Sequence, residues 1–140
     1  MIVVTGASGQ LGRLIVAELR AKHPNEKVVA AVRSPEKAQS LAALGAEIRH
    51  ADYEKPESLD SALKGADTLV LVSSSEVGRR LPQHTNVVNA AKRAGVKRIV
   101  YTSILRAPTS KLALAPEHKA TEELIVASGI AYTFLRNGWY

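Results

Sequence analysis

The sequence predicts an α/β fold, a doubly wound parallel sheet of about six strands with helices on both faces. Three observations predict it. Short β-branched runs alternate with longer amphipathic runs along the whole chain. Gly45, Gly65, Gly95 and Gly129 each stand where an amphipathic run stops, the usual place for a helix to end. The strand-type runs are mostly continuous apolar stretches, as in parallel strands covered on both sides.

The elements follow in order. Residues 1–5 (MIVVT) form an unbroken apolar strand. Residues 10–22 place Leu11, Leu14, Ile15, Glu18 and Leu19 at helical spacing. Residues 27–32 are the second strand. Ser34 and Pro35 then open a helix, Ser34 as N-cap and Pro35 at the first position, running to Leu44 and stopped by Gly45. Residues 46–50 are the third strand, 56–63 a short helix closed by Gly65, and 68–72 the fourth strand. A helix over 81–94, a fifth strand over 97–103, a helix over 114–128 and a sixth strand over 130–135 complete the alternation. Right-handed crossovers then give the strand order 3-2-1-4-5-6.

The 140 residues suit one domain, 1–140. A compact chain of this size buries roughly 68–70% of its unfolded surface. There is no cysteine, which excludes disulfides, thiolate metal sites and cysteine nucleophiles. No metal site is expected. No apolar run reaches the roughly 20 residues of a membrane helix, and the N-terminus lacks the basic start of a signal peptide. No membrane insertion and a cytoplasmic location are expected. The net charge of +6 comes from scattered residues, and only 4% are aromatic, so no base-stacking platform and no nucleic-acid partner are expected.

Function is carried first by the turn after the first strand. Gly6-Ala7-Ser8-Gly9-Gln10-Leu11-Gly12 reads G-x-x-G-x-x-G between a strand and a helix. Gly6 permits the tight turn, Gly9 lets backbone approach a pyrophosphate, and Gly12 lets the helix pack closely on the sheet. A branched side chain at Gly9 would fill the pyrophosphate space and strain the turn. The helix N-terminus favours an anion, with Ser8 and the Gln10 and Leu11 amides as donors. This is the Rossmann-type dinucleotide pattern. A carboxylate at the end of the second strand would select NAD; this chain has Arg33 there, with Lys37 a turn further on. A guanidinium pairs with a 2′-phosphate, so NADP(H) is preferred.

These residues resemble the NmrA-like atypical short-chain dehydrogenases, and within them the NADPH:quinone oxidoreductases of type 2. The resemblance covers the whole chain. It is carried by VTGASGQLG (4–12), AAVRSPEKAQSLAALGAEIRHADY (30–53), VSSSEVGRRLPQHTNVVNAAKRAGVK (72–97), YTSILRA (101–107) and LRNGWY (135–140). It implies that Gly6, Ala7, Ser8, Gly9, Gln10 and Leu11 hold the pyrophosphate and Arg33 the 2′-phosphate. Asp52 would lie beside the adenine, and Ser73, Ser74 and Ser75 under the ribose. Asn137, Gly138, Trp139 and Tyr140 would lie near the nicotinamide and the quinone. Read from the residues alone, Asp52 could cap a turn, the serines could end a strand, and Trp139 and Tyr140 could pack against further sequence.

Ordinary short-chain dehydrogenases carry Tyr-x-x-x-Lys on the helix after the fifth strand. With Glu122 marking that helix, the matching positions are Leu114 and His118. Without the tyrosine no phenol protonates an alkoxide, which argues against alcohol and ketone chemistry. A quinone accepts hydride readily and its reduced oxygen is phenolate-like. No catalytic residue is assigned. His118 could act as an acid near neutral pH, although a surface position is expected for it, and His84 is expected to be structural or exposed. The resemblance implies hydride transfer from NADPH to a quinone. Three alternatives are a non-catalytic NADP(H) sensor, a reductase of another electrophile such as an enone or ether, and an inactive dinucleotide-binding fragment. The chain ends where a loop is expected after the sixth strand, which suggests a missing continuation; the resemblance implies that this is a C-terminal segment covering the substrate pocket.

Overall fold

The computed structural model describes residues 1–138. Its strands are β1 (Ile2–Thr5), β2 (Val28–Val32), β3 (Glu47–His50), β4 (Thr68–Leu71), β5 (Arg98–Ile104) and β6 (Ala131–Asn137). Its helices are α1 (Gln10–Lys22), α2 (Gln39–Ala43), α3 (Pro56–Ala62), α4 (Arg80–Ala94) and α5 (Ala115–Ala127). The sheet is parallel throughout, in the order β3-β2-β1-β4-β5-β6, as the alternation predicts.

Side chains alternate across a strand, so each central strand feeds two cores. Val3, Leu69 and Leu71 pack with Leu59, Val87 and Ile125 from α3, α4 and α5. Val4, Val28, Ala30 and Val70 pack on the other face with Val16 from α1 and Leu41 from α2. This is why β1 and β2 read as continuous apolar runs: both faces are buried. Each fully buried Val, Leu or Ile contributes on the order of 1.5–3 kcal/mol.

Two expectations need correction. The helix expected from Ser34 to Leu44 is broken into a 3₁₀ turn, Pro35–Lys37, and the short α2. Ser34 makes no side-chain cap; its carbonyl instead accepts the Lys37 amide at 3.0 Å. The sheet is also not covered on both sides at its edge. α5 packs on one face of β5 and β6, while α1 sits over β1 and β2. The opposite face of β6 carries no helix among the described residues, and Leu135 there is 42% exposed.

Candidate functional site

The strand order reverses between β1 and β4, and the loops leaving these strands part at their C-terminal ends. A cavity of about 470 Å³ opens there. It collects Gly6, Ser8, Gly9, Gln10 and Leu11 after β1, Arg33 after β2, Asp52 after β3, and Ser73, Ser74 and Ser75 after β4. Ala7 stands apart: its side chain is buried behind the loop and its amide donates to the Ala31 carbonyl at 3.4 Å.

The three glycines of the loop do different things. Gly6 has φ +58°, a left-handed turn that a side chain would strain. A Cβ on Gly12 would lie 2.2 Å from the Gly6 carbonyl oxygen and 2.7 Å from the Ala7 Cα, so the helix can approach only because Gly12 has none. Gly9 is extended backbone (φ −74°, ψ 173°), and a Cβ there would meet only the Gly6 oxygen at 3.4 Å. The strain expected at Gly9 is therefore absent; what Gly9 leaves is open space toward the cavity. The first i→i−4 bond of α1 runs from the Arg13 amide to the Gly9 carbonyl (3.0 Å), so the Gln10 and Leu11 amides precede it and are free to meet an anion. The first turn of α1 carries no acidic residue to oppose one.

Beneath the loop lies a set of bonds that sequence reasoning missed. The Tyr53 hydroxyl is 2.7 Å from both Thr5 Oγ1 and the Val72 carbonyl. It has one proton and a carbonyl only accepts, so Tyr53 donates to Val72 and ties the loop after β3 to the end of β4. Burial pushes the Tyr53 phenol well above its ordinary pKa, so it keeps that proton. Thr102 Oγ1 accepts the Ser73 amide (2.8 Å), His84 Nε2 accepts the Ser74 amide (3.0 Å), and Arg80 Nε donates to the Ser74 carbonyl. His84 is fully buried and its Nδ1 faces Thr121 Oγ1 at 2.9 Å. Because Nε2 accepts, Nδ1 carries the proton and the ring is neutral. Burial, then the neighbouring charges of His118 and Arg80, hold its pKa down to about 3. The Ser74 hydroxyl accepts the Glu76 amide at 3.2 Å, so this serine also shapes its own turn.

Arg33 stands at the mouth of the cavity, its side chain 72% exposed. Its nearest acid is Glu76, with Nη1 to Oε1 at 3.6 Å, an ion pair too long for a hydrogen bond. Asp52 borders the cavity while its Oδ1 accepts the Glu54 amide at 2.9 Å, so the turn-capping role is present as well.

A second cavity of about 460 Å³ continues from the first, sharing Leu11 and Ser73 with it. Ile104, Leu105, Leu112 and Leu114 give it apolar walls, and Arg80, Thr102, Ser103, His118 and Asn137 give it polar ones. Asn137 and Gly138 border this cavity; Trp139 and Tyr140 lie outside the described residues. The Ser103 hydroxyl donates to Glu122 Oε2 (2.6 Å), and Arg136 grips the same carboxylate with bonds of 3.1 and 2.7 Å, pinning the end of β6 to α5. His118 is not a surface residue: it is 3% exposed, and its Nδ1 lies 2.6 Å from the Tyr101 hydroxyl. Burial and the Arg80 charge lower its pKa to about 4, so at neutral pH it is an uncharged imidazole and not an acid.

A parallel sheet with this order, a glycine turn under free helix amides and a cavity at the switch point define a dinucleotide-binding domain of Rossmann type. The chain belongs to the NAD(P)H-binding family, whose model matches residues 6–140. It is 57% identical over its full length to quinone oxidoreductase 2 of Escherichia coli (strain K12), covering 49% of that protein. The structure of an NADPH-dependent quinone oxidoreductase from E. coli complexed with NADPH superposes with a TM-score of 0.96 at 57% identity, over all of this chain and 50% of the other. That of Citrobacter sp. triphenylmethane reductase complexed with NADP(H) gives 0.96 at 46% identity, again over all of this chain and 50% of the other. The chain thus spans about half the length of these relatives. The resemblance read from the loop and strand-end motifs is borne out by these matches. No described helix is long and apolar enough to cross a membrane.

Proposed function

We propose that this chain is the dinucleotide-binding part of an NADPH-dependent oxidoreductase that reduces a quinone. The observation that carries the reading is the apolar second cavity, which opens directly off the dinucleotide cleft and holds no Tyr/Lys acid couple: the two positions are Leu114 and a neutral His118. A ketone would need an acid there. A quinone does not, because its reduced oxygen has a conjugate acid of pKa about 10 and takes its proton from solvent.

In this reading the loop from Gly6 to Leu11 holds the pyrophosphate, with the free Gln10 and Leu11 amides as donors, and Arg33 holds the 2′-phosphate once it leaves Glu76. Asp52 edges the adenine, and Ser73 to Ser75 pass under the ribose. Asn137 and Gly138 lie toward the nicotinamide. NADPH, when bound, supplies hydride. The chain's own part is to orient the two rings and to keep water from between them.

The test follows NADPH absorbance with and without tetramethyl-1,4-benzoquinone, together with calorimetric binding of NADPH. Quinone-dependent oxidation supports the proposal. Binding without oxidation on the 140-residue chain and on a full-length relative-like chain would favour the sensor reading. The Citrobacter relative favours one further reading, reduction of a triphenylmethane dye, so such a dye belongs in the same assay.

A further inference from the structure

His118 stands in the wall of the second cavity with one ring nitrogen committed. Its Nδ1 lies 2.6 Å from the hydroxyl of Tyr101, which is fully buried. That phenol has a single proton, and Nδ1 is the group in hydrogen-bonding geometry with it. The neighbouring Thr121 Oγ1 is already engaged: it accepts from His84 Nδ1 (2.9 Å) and donates to the Glu117 carbonyl (2.9 Å). With a proton on His118 Nδ1, the buried Tyr101 proton would have to turn from its 2.6 Å partner to the second lone pair of Thr121 Oγ1. Tyr101 therefore donates to Nδ1, and the neutral imidazole carries its own proton on Nε2.

Nε2 has no hydrogen-bond partner among the described residues, and the ring borders the cavity. The two hydroxyls that β5 contributes there are not available as donors. That of Ser103 donates to Glu122 (2.6 Å) and that of Thr102 to Ser73 Oγ (3.3 Å). His118 offers an uncharged N–H beside the apolar wall formed by Leu105, Leu112 and Leu114, with Arg80 and Asn137 among the cavity's other polar side chains.

We propose that His118 binds the carbonyl oxygen of the quinone through Nε2–H, and that Tyr101 is the positioning residue that keeps the proton on that nitrogen. The inference rests on the quinone-reductase reading and assigns within it the group that meets the acceptor. One hydride passes to the quinone, one proton comes from solvent, and the products are NADP⁺ and the hydroquinone. His118 keeps its proton throughout. Its hydrogen bond strengthens as negative charge gathers on the quinone oxygen, which is where transition-state stabilisation is gained.

Two measurements on the 140-residue chain test this. Long-range ¹H–¹⁵N spectra should report His118 as the Nε2–H tautomer, and Tyr101→Phe should erase that preference. An Nδ1–H signature in the parent chain would overturn the proposal. Tetramethyl-1,4-benzoquinone is then titrated in the presence of NADP⁺, which has no hydride to give. His118→Phe should weaken quinone binding about tenfold, the loss of one hydrogen bond, with NADP⁺ affinity unchanged. His118→Gln, which can place an amide N–H near the same point, should recover most of it. Equal quinone affinity in the parent chain and His118→Phe would overturn this inference alone. No quinone binding to the parent chain would overturn the quinone reading and this inference with it.

Discussion

The cleft between β1 and β4 and the cavity beside β5 and β6 share a wall, yet they are built from different materials. The first is lined largely by backbone: helix amides, a left-handed turn, the open space at Gly9 and the close approach that Gly12 allows. The second is made of buried side-chain pairs: Tyr101 with His118, Ser103 and Arg136 with Glu122, and Arg80 behind Ser74. A backbone site holds its shape through steric fit and does not titrate. A side-chain site depends on protonation states that hold only while its members stay dry. The two regions should therefore fail under different insults.

The largest effect is expected at Gly12. Its Cβ would meet backbone at 2.2 Å, and nothing flexible stands there to yield. Gly12→Val should cost more than about 4–5 kcal/mol and abolish folding as well as binding. Gly9→Val is its counterpart: open space and ordinary backbone, so the unfolding midpoint should stay close to the parent's while NADPH binding is lost. Urea denaturation and calorimetry on the two variants separate the roles. If Gly9→Val also unfolds, the loop has no room to spare and the division between the two glycines is wrong.

Acid should strike the buried histidines: His118 in the second region and His84 behind the Ser74 turn of the first. His84 titrates near 3 and His118 near 4 in the fold, both below the ordinary value of 6.5. Between those values the unfolded chain binds the extra protons, so stability is complete above about pH 6.5 and falls as pH drops. By pH 5 each histidine should withdraw about 2 kcal/mol. The loss releases the Ser74 amide from His84 and the Tyr101 hydroxyl from His118. Denaturation curves at pH 7.5 and pH 5 check this; a flat profile would mean that neither ring is held neutral by its surroundings.

Arg33 sharpens the contrast from the other side, because it is an exposed charge whose only task in the proposed function is the 2′-phosphate. Arg33→Ala should weaken NADPH by about 1.5–3 kcal/mol, the scale of a charge-assisted hydrogen bond, and leave NADH unchanged. Equal losses for both cofactors would remove the 2′-phosphate assignment.

The same contrast explains what was legible in the sequence. The strand order and the cleft were readable because each rests on a local pattern: apolar runs, helix-stopping glycines, and seven residues of loop. The edge exposure of β6 was not, because Phe134 and Leu135 look alike in sequence and differ only in whether α5 covers them. His118 was misread as a surface residue for a related reason. Its burial is set by Tyr101, seventeen positions away, and by the loop between Ile104 and Ala115. Tyr53 was passed over because a tyrosine donating to Val72 leaves no periodic signature; His84, expected to be structural or exposed, is structural, but its bond to the Ser74 amide leaves no such signature either. The helix after Ser34 failed for the opposite reason: a sound local signal, Ser-Pro, was used for a 3₁₀ turn that ends at Lys37.

The smallest effect is expected at the sheet edge, and it is informative because it is small. Phe134 points toward α5 and packs against Tyr101 and Tyr132, whereas Leu135 points to the opposite face, where no described helix lies. A leucine already 42% in contact with water has little transfer free energy left to lose. Threonine brings a β-branched side chain, which strands favour, and a hydroxyl that water can satisfy. Leu135→Thr should therefore shift stability by no more than about 0.5 kcal/mol, against about 2–5 kcal/mol for Leu71→Ala in the fully buried β4. Paired urea denaturation curves at two protein concentrations make the comparison. A cost near that of Leu71→Ala, growing with concentration, would mean that a second copy of the chain covers this face in solution, and the edge of β6 would then be an interface and not a bare surface.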